Sequence, residues 1–196
     1  MPDAINRRWL LAKYAQGTPG SDTWTLDVAP LPEPGPGQLL VKARFLSVDP
    51  YMRGRISPAA NYTKGVAVGE VMQGSGVGEV IVSNHPEWRL GDIAETMGFG
   101  WQEWAVLSPG RPGPEGVNRV DASLAPIESS LSWLGMPGLT AYFGLLDVGR
   151  PRPGDTVVVS AASGAVSQLV GQIAKIAGCR AVAIAGSEGR RRRFLR

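Results

Sequence analysis

The clearest pattern of hydrophobic and polar positions lies in the last quarter of the chain. The β-branched run Thr156–Val159 predicts a buried strand, and a turn of small residues follows it. Apolar side chains then recur at the spacing of one helix face, at Val166, Leu169, Val170, Ile173 and Ala177. Residues 180–187 form another apolar run, which predicts a second strand. The order strand, helix, strand predicts a βαβ unit with a parallel pair of strands.

The first two thirds of the chain show a different pattern. Residues 38–48 alternate in part between apolar and charged side chains, which predicts a half-buried strand. The apolar set is Val41, Ala43 and Phe45, and the charged set is Lys42 and Arg44. Further short strands are predicted at residues 66–72, 77–82 and 101–107, with Gly and Pro between them. Short strands with frequent turn signals favour a compact β-barrel or sandwich.

The residue composition changes near residue 127. Residues 127–146 are rich in Leu, Ala and Ser and predict one or two helices, interrupted by Pro137 and Gly138. We therefore expect a β-rich domain over residues 1–127 and an α/β domain over residues 128–196.

Composition excludes several classes of protein. Hydrophobic residues make up 43% and charged residues 19%, as in soluble globular chains. One cysteine and one histidine exclude an internal disulfide framework and a typical structural zinc site, and they fit a reducing, cytoplasmic compartment. No apolar run approaches the ~20 residues that span a bilayer, so we expect no membrane partner.

The net charge of +3 comes from the end of the chain. Five arginines lie at positions 190–193 and 196, and without them 15 basic residues face 17 acidic ones. The body of the protein is therefore not expected to bind nucleic acid. A nucleic-acid or targeting role for the arginine run itself stays open as a minor alternative.

The small turn after the first strand of the βαβ unit predicts a phosphate-binding site. Dinucleotide sites need little side chain there, so that backbone N–H groups and a helix N-terminus approach the pyrophosphate. Gly164 and Ala165 meet that need, but Ser167 stands where glycine is commoner in the G-x-G-x-x-G pattern. An ordinary crossover that binds no cofactor remains the alternative. The glycines at residues 74–78 precede a strand and not a helix, so they are interpreted as barrel turns.

The end of the second strand bears on the choice of cofactor. The adenosine ribose lies at this point in dinucleotide-binding folds, and basic residues there favour a 2′-phosphate. Ser187 and Arg190 therefore indicate NADP rather than NAD, with Glu188 as a mild signal against it. A solvated basic tail is the competing interpretation.

Five segments together resemble one known family. They are residues 6–9, 46–55, 98–104, 134–146 and 157–179, which read NRRW, LSVDPYMRGR, GFGWQEW, LGMPGLTAYFGLL and a strand–turn–helix unit. Their content and order are similar to the zinc-independent branch of the medium-chain dehydrogenase/reductase superfamily, in the group of prostaglandin, 2-alkenal and curcumin reductases.

The resemblance implies a fold and an activity. The fold is α/β plus β, a GroES-like β-barrel followed by a Rossmann domain. The implied reaction is metal-free, NADP(H)-dependent reduction of the C=C bond of an α,β-unsaturated aldehyde or ketone. Hydride goes to the β-carbon, and donors stabilise the developing enolate oxygen. A homodimer formed through the Rossmann domains is also implied.

The matching positions imply site residues. Tyr51 and Tyr62 would donate to the enolate oxygen, although both could instead pack within the barrel. Cofactor-binding residues would lie at three places: the nicotinamide, the pyrophosphate and the adenosine ribose. They are Met136, Gly138 and Thr140; then Gly164, Ala165, Val166 and Ser167; then Gly186, Ser187 and Arg190.

The match decays after Ser187. The family usually continues with an amphipathic helix, and here Gly189 and four arginines follow instead. We therefore expect an incomplete Rossmann domain and a C-terminally truncated reductase with weak activity and a tendency to aggregate. A non-catalytic remnant that serves as a binding module is the alternative function.

Overall fold

The computed structural model describes residues 5–58, 65–113 and 115–186. The chain divides into two compact units, Met1–Glu128 and Ser129–Arg196. This division falls one residue beyond the predicted boundary. Each unit is described by itself below.

The first unit is built from antiparallel strands. They are β1 (Ile5–Leu11), β2 (Trp24–Pro30), β3 (Leu39–Leu46), β4 (Gly76–Ser83), β5 (Ile93–Thr96), β6 (Trp104–Leu107) and β7 (Asn118–Val120). The sheet order is β6-β3-β4-β5-β7, and β1 and β2 form a separate hairpin. Single bridges, Arg8 to Gln102 and Leu10 to Val71, join β1 to the rest of the unit.

One glycine shows how closely the strands approach. An added Cβ on Gly78 would lie 2.2 Å from the carbonyl oxygen of Lys42 on β3, so no side chain fits there. Because β4 begins at Gly76, Gly76 and Gly78 lie in a strand, and their interpretation as barrel-turn glycines is wrong. The expectation that these glycines lead into a strand and not into a helix is confirmed.

Two further sequence predictions in this unit are wrong. Residues 66–72 do not form a strand, because within the described chain they pair only through a single bridge at Val71. Phe45 does not share the buried side with Val41: Phe45 is 45% exposed and Val41 fully buried. The register of β3 against β4 shifts between Ala43 and Phe45, and such a bulge turns the following side chains.

Two hydrophobic clusters fill the first unit. One lies on the five-stranded sheet around Val41, Val80 and Phe99. The other joins the hairpin to α1, a single turn at Met52–Arg55, and contains Leu11, Ile56 and Met72. Tyr51 packs against this second cluster.

The second unit contains the predicted βαβ unit. Its elements are α2 (Met136–Tyr142), a π-helix (Phe143–Gly149), β8 (Thr156–Val159), α3 (Ala165–Ile176) and β9 (Arg180–Ala183). Strands β8 and β9 pair in parallel, with Val159 opposite Ala183. Helix α3 packs on both strands and on α2.

The helices depart from prediction in two details. Pro137 and Gly138 do not interrupt a helix but lie in the first turn of α2, where proline is favoured because its N–H would have no partner. The predicted apolar stripe of α3 is half-buried, and Gly171 and Ala174 are the fully buried positions. Small residues there let the helix approach its neighbours closely.

No helix among the described residues is long and apolar enough to span a membrane.

Candidate functional site

The turn between β8 and α3 presents a helix N-terminus. Helix α3 begins after Gly164, which has extended dihedral angles and no side chain with which to cap the helix. The N–H groups of Ala165, Val166 and Ser167 therefore have no intrahelical acceptor. With the dipole of this 12-residue helix behind them, they form an arrangement suited to an anion.

The carbonyl groups of the same turn accept hydrogen bonds within it. Gly164 N–H donates to Ala161 O at 2.8 Å. Ser167 Oγ donates to Ser160 O at 3.1 Å, and Gln168 Nε2 donates to Ser163 O at 2.7 Å. The negative ends of three peptide groups are thus engaged internally, so the turn favours a negative ligand over a positive one.

The turn carries backbone strain at Ala161. Its φ is +47°, in the left-handed region that L-residues other than Asn and Asp rarely enter. The next residue, Ala162, is fully buried and donates its N–H to Ile184 O at 3.1 Å. The turn is therefore held by the residue that follows β9.

The parallel pairing places the end of β9 beside the turn. Strands β8 and β9 end at the same edge, and Gly186 follows β9 there, exposed and with open space around its α-carbon. The structure thus brings Gly164, Ala165, Val166, Ser167 and Gly186 to one edge of the sheet, the edge at which doubly wound folds bind ligands.

The residues predicted near the nicotinamide lie on α2. Met136 is half-buried, and Thr140 is exposed and donates its Oγ1 hydrogen to Met136 O at 2.7 Å. Gly138 is buried, and a Cβ there would lie 1.9 Å from Trp133 O. Close packing therefore accounts for glycine at position 138 without a ligand.

Tyr51 lies in the first unit, just before α1. It is half-buried, and the guanidinium of Arg55 lies 5.6 Å from the centroid of its ring. Both the packing role and the donor role foreseen for Tyr51 are compatible with this placement.

Three predicted site residues, Tyr62, Ser187 and Arg190, lie outside the described residues.

Among the described residues, neither a metal-binding cluster nor a carboxyl group with a shifted pKa forms part of this site. The described part of the chain contains no group of three or more His, Cys, Asp or Glu side chains arranged to hold a metal ion. Burial raises the pKa of Glu95 on β5, while a hydrogen bond from Asn118 acts in the opposite direction. Glu95 lies in the sheet of the first unit, so this shift reports on packing there.

Gln168 is the residue of the turn that sequence reasoning missed. It lies in the first turn of α3, where a glutamine reads as an ordinary solvent-facing helix residue. Its position could have indicated this role, because a glutamine side chain one turn after the start of a helix is long enough to reach the carbonyl groups that precede the helix.

A β-rich unit followed by a βαβ unit with an anion-accepting turn is the arrangement of medium-chain dehydrogenases/reductases. The chain belongs to this superfamily: residues 7–113 match the family described as the N-terminal domain of oxidoreductase. The sequence-based assignment to the group of prostaglandin, 2-alkenal and curcumin reductases is confirmed.

Individual relatives agree with that assignment. The chain is 45% identical over 182 residues to the NADPH-dependent curcumin reductase of Escherichia coli, covering 92% of this chain and 51% of the relative. It is 39% identical over 191 residues to the NADP(+)-dependent 2-alkenal reductase of Nicotiana tabacum, covering 95% and 54%. The chain thus spans about half the length of these relatives.

A solved structure shows the same fold. The crystal structure of CurA from Vibrio vulnificus in complex with NADPH superimposes with a TM-score of 0.84 at 40% identity, over 93% of this chain and 52% of that one. The predicted fold class, a GroES-like barrel followed by the first part of a Rossmann domain, is confirmed.

Proposed function

We propose that this chain binds NADPH through the β8–α3 turn and takes part in metal-free reduction of the C=C bond of α,β-unsaturated aldehydes or ketones. The observation that carries the proposal is the turn itself. Three N–H groups at the start of α3 have no intrahelical acceptor, while the carbonyl oxygens of Ser160, Ala161 and Ser163 already accept hydrogen bonds within the turn. The names of the relatives, curcumin reductase and 2-alkenal reductase, supply the substrate class.

The cofactor's pyrophosphate would lie on the N–H groups of Ala165, Val166 and Ser167. These groups need no reorganisation to accept two negative charges, since the helix already fixes them. Gly164 and Gly186 leave room for the backbone to come close. Ser187 and Arg190 would contact the 2′-phosphate, with arginine as a bidentate partner.

On the substrate side, the reduced nicotinamide supplies a hydride when the cofactor is bound. The enone gains that hydride at its β-carbon and a proton at its α-carbon, and negative charge develops on its carbonyl oxygen between these events. The hydroxyl groups of Tyr51 and Tyr62 would donate hydrogen bonds to that oxygen and so lower the barrier. Met136, Gly138 and Thr140 would lie near the nicotinamide, and no zinc ion is required in this scheme.

The first test is a fluorescence titration of the full chain with NADPH, followed by addition of 4-hydroxynonenal. We expect saturable binding and, with the alkenal, oxidation of NADPH. Binding without oxidation would support the alternative, a cofactor-binding module without catalysis. No binding at millimolar NADPH would refute the proposal.

A charge substitution locates the binding site. Ala165→Asp adds a negative charge at the first residue of α3, which favours the helix N-terminus but repels a pyrophosphate. We expect at least a tenfold loss of NADPH affinity, because the repulsion should be on the order of the energy of one charge-assisted hydrogen bond. The thermal stability of the variant should not fall. Gln172→Asp, two turns further along the same helix and exposed, is the matched control and should leave the affinity unchanged.

A further inference from the structure

Two side chains of α3 reach back into the turn that precedes the helix. Gln168 donates its Nε2 hydrogen to Ser163 O at 2.7 Å, and Ser167 donates its hydroxyl hydrogen to Ser160 O at 3.1 Å. Neither bond contributes to the helix itself. Both fix carbonyl groups of the turn.

The bond from Gln168 controls one particular peptide group. The carbonyl of Ser163 and the N–H of Gly164 belong to the same planar unit. Gln168 holds the oxygen of that unit, and Ala161 O holds its N–H at 2.8 Å. The peptide plane is therefore fixed at both ends.

A fixed plane matters for an anion site. If the peptide between Ser163 and Gly164 rotated, its carbonyl oxygen could point toward the bound phosphate and repel it. The turn lacks the full glycine pattern and places Ala161 in a strained conformation with φ +47°. The side-chain bonds from α3 therefore add to the bond that Ala162 N–H donates to Ile184 O.

We propose that Gln168 and Ser167 are positioning residues that keep the turn's carbonyl groups away from the bound phosphate. This inference rests on the proposed function, since it names the residues that prepare the same site. Gln168 contributes through the peptide between Ser163 and Gly164, and Ser167 contributes through the carbonyl of Ser160. Ser167 thus acts through its side chain at a position where glycine is commoner.

The test of Gln168 is amide hydrogen exchange on the full chain without cofactor. Gln168→Met keeps the length of the side chain and removes its donor. We expect the Gly164 amide to exchange about 5- to 10-fold faster in this variant, because one hydrogen bond worth about 1–1.4 kcal/mol no longer holds its peptide. Gln172→Met, the same change one turn further along α3, should leave Gly164 exchange as in the unmodified chain.

NADPH titration supplies the second readout. Gln168→Met should weaken binding about 5- to 10-fold, on the same energetic reasoning. The lost bond should also lower the unfolding temperature of the second unit by about 4–8 °C, so the titration is made well below the unfolding transition. Ser167→Ala should weaken NADPH binding as well. Ser167→Thr, which keeps the hydroxyl, should bind NADPH as tightly as the unmodified chain.

The outcomes separate this inference from the function on which it rests. Unchanged Gly164 exchange in Gln168→Met would overturn the positioning role, whatever the cofactor does. Faster exchange together with no NADPH binding by the unmodified chain would refute the proposed function and leave Gln168 as a residue that holds the turn. Equal NADPH affinity in Ser167→Ala and Ser167→Thr would overturn the role of the Ser167 hydroxyl.

Discussion

The side chain of Asn6 pairs with the backbone of Trp104 on β6 as a neighbouring strand would. Its side chain is buried, with 2% exposure, and it contacts both backbone groups of Trp104: Nδ2 donates to Trp104 O at 2.9 Å and Oδ1 accepts from Trp104 N–H at 3.0 Å. Ala43 N–H donates to Glu103 O, so the alternation of antiparallel pairing turns the groups of Trp104 away from β3. Asn6 is then the partner that satisfies them.

We expect Asn6→Ala to destabilise this unit by about 2–4 kcal/mol. The two hydrogen bonds to Trp104 are lost at roughly 1 kcal/mol each, and the N–H and C=O of Trp104 lose a buried partner, which adds a similar amount. A longer bond from Asn6 Nδ2 to Gln102 Oε1, at 3.3 Å, is lost as well. With a urea dependence of roughly 2 kcal/mol per molar, the unfolding midpoint should fall by about 1–2 M.

Tryptophan fluorescence during urea unfolding is a suitable assay. Five of the six tryptophans lie before residue 129, in the first unit, so the signal reports mainly on that unit. Asn118→Ala serves as the control: it removes an exposed asparagine on β7 and a single hydrogen bond, from Asn118 Nδ2 to Glu95 Oε2, with an expected change below about 1 kcal/mol. A midpoint for Asn6→Ala equal to that of Asn118→Ala would refute the assignment of Asn6 as the partner of Trp104.

Three further predictions concern stability. Gly138→Ala should lower the stability of the second unit by more than about 2 kcal/mol, because its Cβ would lie 1.9 Å from Trp133 O. Gly144→Ala, with nothing within 4 Å, should not lower it, and thermal unfolding by circular dichroism compares the two. Ala161→Val should cost about 1–2 kcal/mol in the same assay, since a β-branched side chain tolerates φ +47° poorly, whereas Ala161→Gly should cost nothing. Burial raises the pKa of Glu95 above the ordinary value of a glutamic acid side chain, so ionisation of this carboxyl opposes folding as the pH rises through its titration range. Glu95→Gln should therefore raise the urea midpoint at neutral pH and leave it unchanged well below pH 4.5; an equal effect at both would contradict the burial argument.

Sequence periodicity predicted the elements that form from local interactions. Strand β8 and helix α3 form where the apolar pattern predicts them, because burial of one helix face and of a β-branched run depends on residues near in sequence. Strand β9 begins at Arg180 as predicted but ends at Ala183, short of the predicted range 180–187. The turn between β8 and α3 was equally predictable, since a backbone that must come close to a phosphate tolerates only small side chains.

Tertiary structure decided the features that depend on distant partners. The apolar residues 66–72 do not form a strand, since a strand requires a paired ladder and only Val71 finds a bridge. Phe45 is exposed because of a bulge against β4, and periodicity within β3 cannot show a register shift set by another strand.

The same division holds at the site. The chain itself determined which residues form the β8–α3 turn and, through its resemblance, the family to which it belongs. Only the folded chain showed that Gln168 holds the carbonyl of Ser163, and that Asn6 pairs with a backbone 98 residues away. The physical reason is that the local sequence limits which backbone conformations have low free energy. The orientation of each peptide group, in contrast, is fixed by hydrogen-bond partners that the fold brings together.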